Sequence, residues 1–180
     1  MATRSMFATE VERVMHEMPY GLYVIGSKEA EAGRVNGMMA DWVMQVSFEP
    51  RIVAVSFEVT SHTLQNIRER QYFSVNLLAQ DDDSMELARR FAQPFSGEKV
   101  QGRKGEERMK VHYKLDGLPY QTTANGCPVL DAAMAWFECE LADTQPIGDH
   151  VLVFGVVLDG GVLKEAEPMT SSYTGWTYSG

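Results

Sequence analysis

Short runs in which every second residue is apolar are the feature that most limits the possible folds of this chain. In the run 137–141, Phe137, Cys139 and Leu141 alternate with two glutamates, and the run Phe73–Leu78 has the same period. Because successive strand side chains point to opposite faces, this period predicts half-buried β-strands. Further strand candidates are Gly21–Gly26, Met38–Ser47, Ile52–Phe57 and Val151–Leu158. The chain is therefore predicted to be mainly β, closed or nearly closed into a barrel, because closure removes exposed sheet edges.

Three short helices are expected between or before these strands, at Thr9–Glu17, Thr63–Arg70 and Ser84–Phe91. Ser84 is the predicted capping residue of the third. The segment Ala92–Gln121 is polar and without periodicity, which predicts a long excursion from the sheet. No repeat or linker divides the chain, so residues 1–180 are expected to form a single domain.

Composition narrows the class of protein. The 44% hydrophobic and 23% charged residues are ordinary for a globular domain of 180 residues. A formal net charge of -9 disfavours binding to nucleic acid or to an anionic membrane, since both need a surplus of Lys and Arg. Neither a membrane span nor an export signal is visible in the sequence, so the expected location is cytoplasmic, with no membrane partner.

The two cysteines, Cys127 and Cys139, lie twelve positions apart and form no Cys-x-x-Cys pair. This spacing disfavours structural zinc, an iron–sulfur cluster and a rubredoxin-type iron site. Cys139 falls in an alternating run and is predicted to be buried. Cys127, between Gly126 and Pro128, is predicted to be partly exposed. Both are interpreted as chemically inert.

The segment 34–47 has an unusual order of residues. Asn36-Gly37 leads into two methionines, a small residue and Trp42, and a Val-Ser pair precedes an x-Pro turn and a Val-rich strand. This order resembles the flavin reductase family of FMN-binding split barrels, and the resemblance extends from about Met18 to the C-terminus. It implies a split β-barrel fold and FMN as the cofactor.

The resemblance implies that this segment surrounds the flavin ring, and the side chains suit that role. A flavin needs apolar surface and backbone hydrogen-bonding groups, and Met and Trp pack well against a large polarisable ring. The candidate residues are Asn36, Gly37, Met38, Met39, Ala40, Asp41, Trp42 and Ser47. The alternative is that Met39, Val43 and Val46 are only core residues. Asp41 departs from the family pattern, in which Ser or Thr is common.

A second motif, Thr60-Ser61-His62-Thr63, opens the helix predicted over Thr63–Arg70. Ser61 is a good N-cap, and a helix N-terminus is also a natural phosphate site. A simple cap is the alternative. The resemblance implies that Ser61, His62 and Thr63 bind the FMN phosphate, with Ser56 nearby.

A third motif, Gly148-Asp149-His150, precedes the late strand Val151–Leu158. It resembles the Gly-Asp-His motif of NAD(P)H-dependent members, which implies that His150 orients the nicotinamide. The alternative is a turn in which Asp149 caps a bend and His150 packs at the barrel rim.

Two weaker features complete the pattern. Arg89-Arg90-Phe91-Ala92, followed by Lys99 and Lys104, resembles a family segment that lies over the flavin, so Phe91 is a candidate contact. The aromatic tail 173–178 is expected to dock against the barrel or a second subunit, and a homodimer is expected.

The resemblance implies a flavin reductase that uses NADH or NADPH and supplies reduced flavin to a partner oxygenase or another acceptor. An electron-transfer flavoprotein that exchanges electrons with a redox protein is the first alternative. A barrel that binds a small apolar ligand without redox chemistry is the second, although it leaves the Ser61-His62-Thr63 turn unexplained.

Overall fold

The computed structural model describes residues 9–96 and 111–176. The strands are β1 Tyr23–Lys28, β2 Val35–Ala40, β3 Val43–Phe48, β4 Arg51–Glu58, β5 Tyr72–Leu77, β6 Tyr120–Thr122, β7 Pro128–Leu130, β8 Ala135–Ile147 and β9 His150–Val162. The helices are α1 Glu10–His16, α2 His62–Arg70, α3 Asp82–Phe91 and α4 Ser171–Thr174. The prediction of a mainly β chain with short helices is confirmed.

Seven strands form one antiparallel sheet in the order β2-β1-β5-β8-β9-β4-β3, and β6 and β7 form a separate pair. Strands from across this order contribute to one buried cluster, which includes Ile25 of β1, Val55 of β4 and Val153 of β9. Leu64 and Ile67 of α2 belong to the same cluster. The sheet therefore curls around a shared core, while β2 and β3 are not paired with each other in the described parts of the chain. This is a split barrel.

The single strand predicted over Met38–Ser47 is wrong, because the chain breaks at Asp41 and Trp42 into β2 and β3. The amide of Val43 donates to the carbonyl of Asp41 at 2.9 Å, and the amide of Ser56 donates to the carbonyl of Trp42 at 3.0 Å. β2 pairs with β1, whereas β3 pairs with β4. The break carries the chain from one end of the strand order to the other.

The predicted capping role of Ser84 is also wrong. Asp81 is the N-cap of α3, and its Oδ1 accepts a hydrogen bond from the Ser84 amide at 2.7 Å. Although partial burial raises the pKa of Asp81, hydrogen bonds from Ser84 and Lys164 hold that pKa below its ordinary value. A carboxylate at this position also suits the positive end of the helix dipole. α3 therefore begins at Asp82, two residues before the predicted start at Ser84.

The two cysteines are both buried, so the prediction for Cys139 is confirmed and the expected partial exposure of Cys127 is wrong. Cys127 directly precedes β7, a strand that was not predicted and whose three residues are all buried. Burial, followed by the Glu138 carboxylate, raises the pKa of each thiol to about 12. Neither is a thiolate at neutral pH, which agrees with the interpretation of both as inert.

The C-terminal segment packs on the chain's own second hydrophobic cluster, which lies between β1, α3 and the loop after residue 111. Trp176 contacts this cluster, and the carbonyl of Met169 accepts from the Leu22 amide at 2.9 Å. The tail therefore docks against the barrel as far as Trp176, and Tyr178 lies outside the described residues. No helix within residues 9–96 and 111–176 is long and apolar enough to cross a membrane.

Candidate functional site

A cavity of about 720 Å³ opens where the β2–β3 break, the start of α2 and the β8–β9 turn meet. The structure brings into its lining most of the residues proposed from sequence, namely Asn36, Gly37, Met38, Met39, Ala40, Asp41, Trp42, Ser56, Ser61, His62, Thr63, Phe91 and His150. Ser47 is the exception. It lies on β3 opposite Ile52, beyond a bulge, and does not line the cavity.

Asn36 and Gly37 shape the cavity rather than simply facing it. The Asn36 Nδ2 donates to the His112 carbonyl at 3.0 Å, and its Oδ1 accepts from the amides of Gly37 and Lys114 at 2.9 and 3.0 Å. This buried amide fastens the segment 112–114 to β2. At Gly37, a Cβ atom would lie 2.9 Å from Cε1 of Phe91. The glycine thus allows the Phe91 ring to lie against the strand.

Trp42 and His150 form the wall at the β8–β9 turn, where Gly148 has a φ of 55°. Their ring centroids are 5.1 Å apart, with an angle of 44° between the ring planes. The His150 Nδ1 lies 2.7 Å from Oδ1 of Asp149, whose side chain is 93% exposed. The hydrogen bond from His150 lowers the pKa of Asp149, so the carboxylate is ionised at neutral pH. This contact fixes the ring orientation of a buried histidine at the cavity edge.

The N-terminus of α2 also borders the cavity. The Ser61 Oγ accepts a hydrogen bond from the Leu64 amide at 3.3 Å and lies 3.5 Å from Sδ of Met38. Ser61 is therefore an N-cap, as predicted. The cap uses the amide of Leu64, whereas the earlier amides of a helix have no acceptor within it. Capping and anion binding are thus compatible at this turn.

Several lining residues were missed by the sequence analysis. Lys114 is a buried cation whose Nζ donates to the Phe91 carbonyl at 3.1 Å, and Glu58 is paired with His150 across β4 and β9. Phe95 and Trp176 also line the cavity. The aromatic tail was a usable signal for Trp176. Lys114 and Phe95 lie in the polar excursion, which offers no periodicity from which to place them.

Arg89 and Arg90, the arginines next to Phe91 in sequence, do not line the cavity. Arg90 donates to the carbonyl of Asp116, and Arg89 lines a separate depression on the outer side of α3. Lys99 and Lys104 lie outside the described residues. Across the described ranges, no three His, Cys, Asp or Glu side chains are grouped so as to hold a metal ion.

Comparisons with known proteins agree with this architecture. High molecular weight rubredoxin of Moorella thermoacetica is 32% identical, with 89% of this chain and 64% of that protein covered. Ferric-chelate reductase (NAD(P)H) of Archaeoglobus fulgidus is 30% identical, with coverages of 86% and 83%. The solved structure of flavin reductase PheA2 superposes with a TM-score of 0.69 at 25% identity, covering 92% and 93% of the two chains.

The chain spans less than two thirds of that rubredoxin and about a quarter of the diflavin flavoproteins that it also matches. Residues 15–177 match the family described as flavin reductase like domain. Since this match covers most of the sequence, the chain belongs to the flavin reductase-like family.

Proposed function

We propose that this chain binds FMN in the cavity and catalyses hydride transfer from NADH or NADPH to the flavin. The observation that carries the proposal is the meeting, in one cavity, of an apolar wall from Met38 to Trp42, a helix N-terminus and a buried histidine. The volume of about 720 Å³ is typical of small-molecule sites. Membership of the flavin reductase-like family supports the same chemistry.

The ring of the flavin is assigned to the part of the cavity between Met38, Trp42 and Phe91. Thioether and aromatic side chains suit a flat polarisable ring. Ser47 is not included, because it lies away from the cavity. Lys114 adds a buried positive charge to a cavity that also carries Asp41 and Glu58.

The phosphate of FMN is assigned to the N-terminus of α2. Amides at a helix N-terminus point at a bound anion, and the helix dipole favours its negative charge. The hydroxyls of Ser61 and Thr63 lie at the same turn, and Thr63 is 5% exposed. This part of the cavity therefore offers two hydroxyl donors and the amides of a helix N-terminus.

His150 is assigned the orientation of the nicotinamide. The bound flavin supplies the hydride-accepting chemistry, so the protein has mainly to place the donor ring. The contact from Asp149 and the packing of Trp42 both restrict the imidazole. Reduced flavin would then serve a separate oxygenase or another acceptor.

An electron-transfer flavoprotein is the second candidate, favoured by 32% identity to high molecular weight rubredoxin. Turnover separates the two functions. With FMN in excess, the reductase is expected to oxidise NADH or NADPH steadily, whereas a carrier would reduce its own flavin poorly from the nucleotide. Rapid-mixing absorbance at the flavin band measures this step directly. A yellow protein that neither nucleotide reduces would contradict the reductase.

The same measurement tests His150. His150→Ala is expected to lower flavin reduction at a given nucleotide concentration on the order of tenfold, because an orienting contact acts on geometry alone. FMN affinity should stay nearly constant. His16→Ala, on α1, is the control and should change neither value. If the His150 variant reduces its flavin as fast as the parent, His150 has no orienting role and only packs at the barrel rim.

We also propose that the chain forms a homodimer. β3 is the last strand of the sheet order, and Met44, Val46 and Phe48 project from it with exposures of 66%, 43% and 87%. Exposed apolar residues on a sheet edge favour association, and a second copy would cover them. Phe48→Asp is therefore expected to give a monomer by light scattering. Val11→Asp, on α1, should leave the dimer intact, and a parent protein of monomeric mass would refute the proposal.

A further inference from the structure

Two aromatic rings are stacked at the end of the cavity assigned to the phosphate. The His62 and Phe95 centroids are 3.7 Å apart, and the angle between the ring planes is 3°. Both residues line the cavity together with Ser61 and Thr63. The stack therefore stands beside the helix N-terminus.

A carboxylate contacts the edge of the His62 ring. Its Nε2 lies 3.1 Å from Oε1 of Glu29, and the two side chains are 24% and 12% exposed. Glu29 also reaches Tyr113, whose pKa is raised first by burial and then by this carboxylate. A negative charge thus lies at the edge of the His62 ring. It would oppose a second phosphate placed beyond the first.

Phe95 also contacts the segment after residue 111. Phe95 and Tyr113 form an edge-to-face pair, with ring centroids 5.7 Å apart and an angle of 90° between the ring planes. The Arg34 guanidinium lies 3.3 Å from the centre of the Tyr113 ring and makes two hydrogen bonds to Asp116, at 3.0 and 3.1 Å. Moving Phe95 therefore disturbs a chain of contacts.

This arrangement matters for the length of the ligand, provided that the flavin phosphate binds at α2 as proposed above. FMN ends at its phosphate, whereas FAD continues through a second phosphate and a ribose to an adenine base. Rings 3.7 Å apart leave no room for a third ring, because each stacked pair needs about 3.5 Å of separation. An adenine base can therefore stack on this face of His62 only by displacing Phe95.

We propose that Phe95 is a specificity-determining residue that makes this site prefer the flavin mononucleotide to the dinucleotide, by occupying the face of His62 that an adenine base would use. Two features act in the same direction: the stack blocks the face, and the Glu29 carboxylate beside His62 adds a negative charge that disfavours a further phosphate near this ring.

The test is the ratio of the dissociation constants of FAD and FMN, measured by fluorescence titration of the full chain, with riboflavin titrated in parallel. Phe95→Ala and Phe95→Leu are expected to lower this ratio by about 2-fold to 10-fold, the size expected for one aromatic pair. Riboflavin affinity should change little. The leucine variant keeps apolar volume without a flat face, so it remains informative if the alanine variant does not fold. Tyr120→Ala, which removes an exposed aromatic residue from β6, is the control and should keep the parent ratio.

Each outcome decides the proposal. An unchanged ratio in folded Phe95 variants overturns it, and so does a raised ratio, which would show that Phe95 supports the adenine instead of blocking it. A parent protein that binds FMN no better than riboflavin contradicts the phosphate assignment itself. That result would disprove FMN phosphate binding at α2, whatever the Phe95 variants show. A protein that binds no flavin overturns both.

Discussion

Replacing Ser61 and Thr63 together by alanine is expected to weaken FMN binding by roughly 100-fold or more. Each lost hydrogen bond to a charged group costs about 1.5–3 kcal/mol, and about 1.4 kcal/mol corresponds to a factor of ten. Riboflavin lacks the phosphate, so its affinity should change far less. Fluorescence titration with both ligands measures the difference. Equal weakening of the two would show that the substitutions disturb ring binding or folding.

The stability of α2 has to be separated from phosphate binding, because Ser61 also caps the helix. Loss of an N-cap costs about 1 kcal/mol of stability whether or not the helix N-terminus binds a phosphate. Asp81→Ala serves as the matched control, because it removes the cap of α3. Asp81 itself does not line the cavity. The variant should lower stability to a similar degree while leaving the preference for FMN over riboflavin unchanged.

Gly155→Ala is expected to destabilise the barrel by about 1–3 kcal/mol, and Gly155→Val by more. A Cβ atom at this position on β9 would lie 2.6 Å from Cζ of Phe73 and 2.7 Å from Cβ of Cys139. Both neighbours are completely buried, so neither can move without disturbing the core. Urea unfolding followed by circular dichroism measures the loss as a lower midpoint at constant slope.

Gly161→Ala is the matched control for this substitution. It lies on the same strand, but an added Cβ would be 3.4 Å from its nearest neighbour, Nε1 of Trp136, which is ordinary contact. Its stability should stay close to that of the parent. If Gly155→Ala unfolds at the same urea concentration as Gly161→Ala, the close packing of Phe73 against β9 is not what the structure indicates.

The strands could be predicted because their signal is local. Every second residue is apolar in β5, and also in its partner β8 at Phe137, Cys139 and Leu141. These apolar residues of the two strands pack in the same core cluster. The start of α2 was equally legible, since an N-cap acts through an amide only three residues away. The motif residues on β2, α2 and the β8–β9 turn were named from a resemblance to the flavin reductase family, which could be recognised because each motif is continuous in sequence.

The sequence by itself determined the strand pattern, the N-cap at Ser61 and the residue types of the motifs, because these depend on neighbours within a few positions. Tertiary structure alone decided the break at Asp41 and Trp42, where β2 and β3 join different partners. It also decided the burial of Cys127, the contact of Lys114 with Phe91, and the stack of Phe95 on His62. The contacts of Lys114 with Phe91 and of Phe95 with His62 join residues 23 and 33 positions apart. Their partners are selected by packing of the whole chain, which no local pattern encodes.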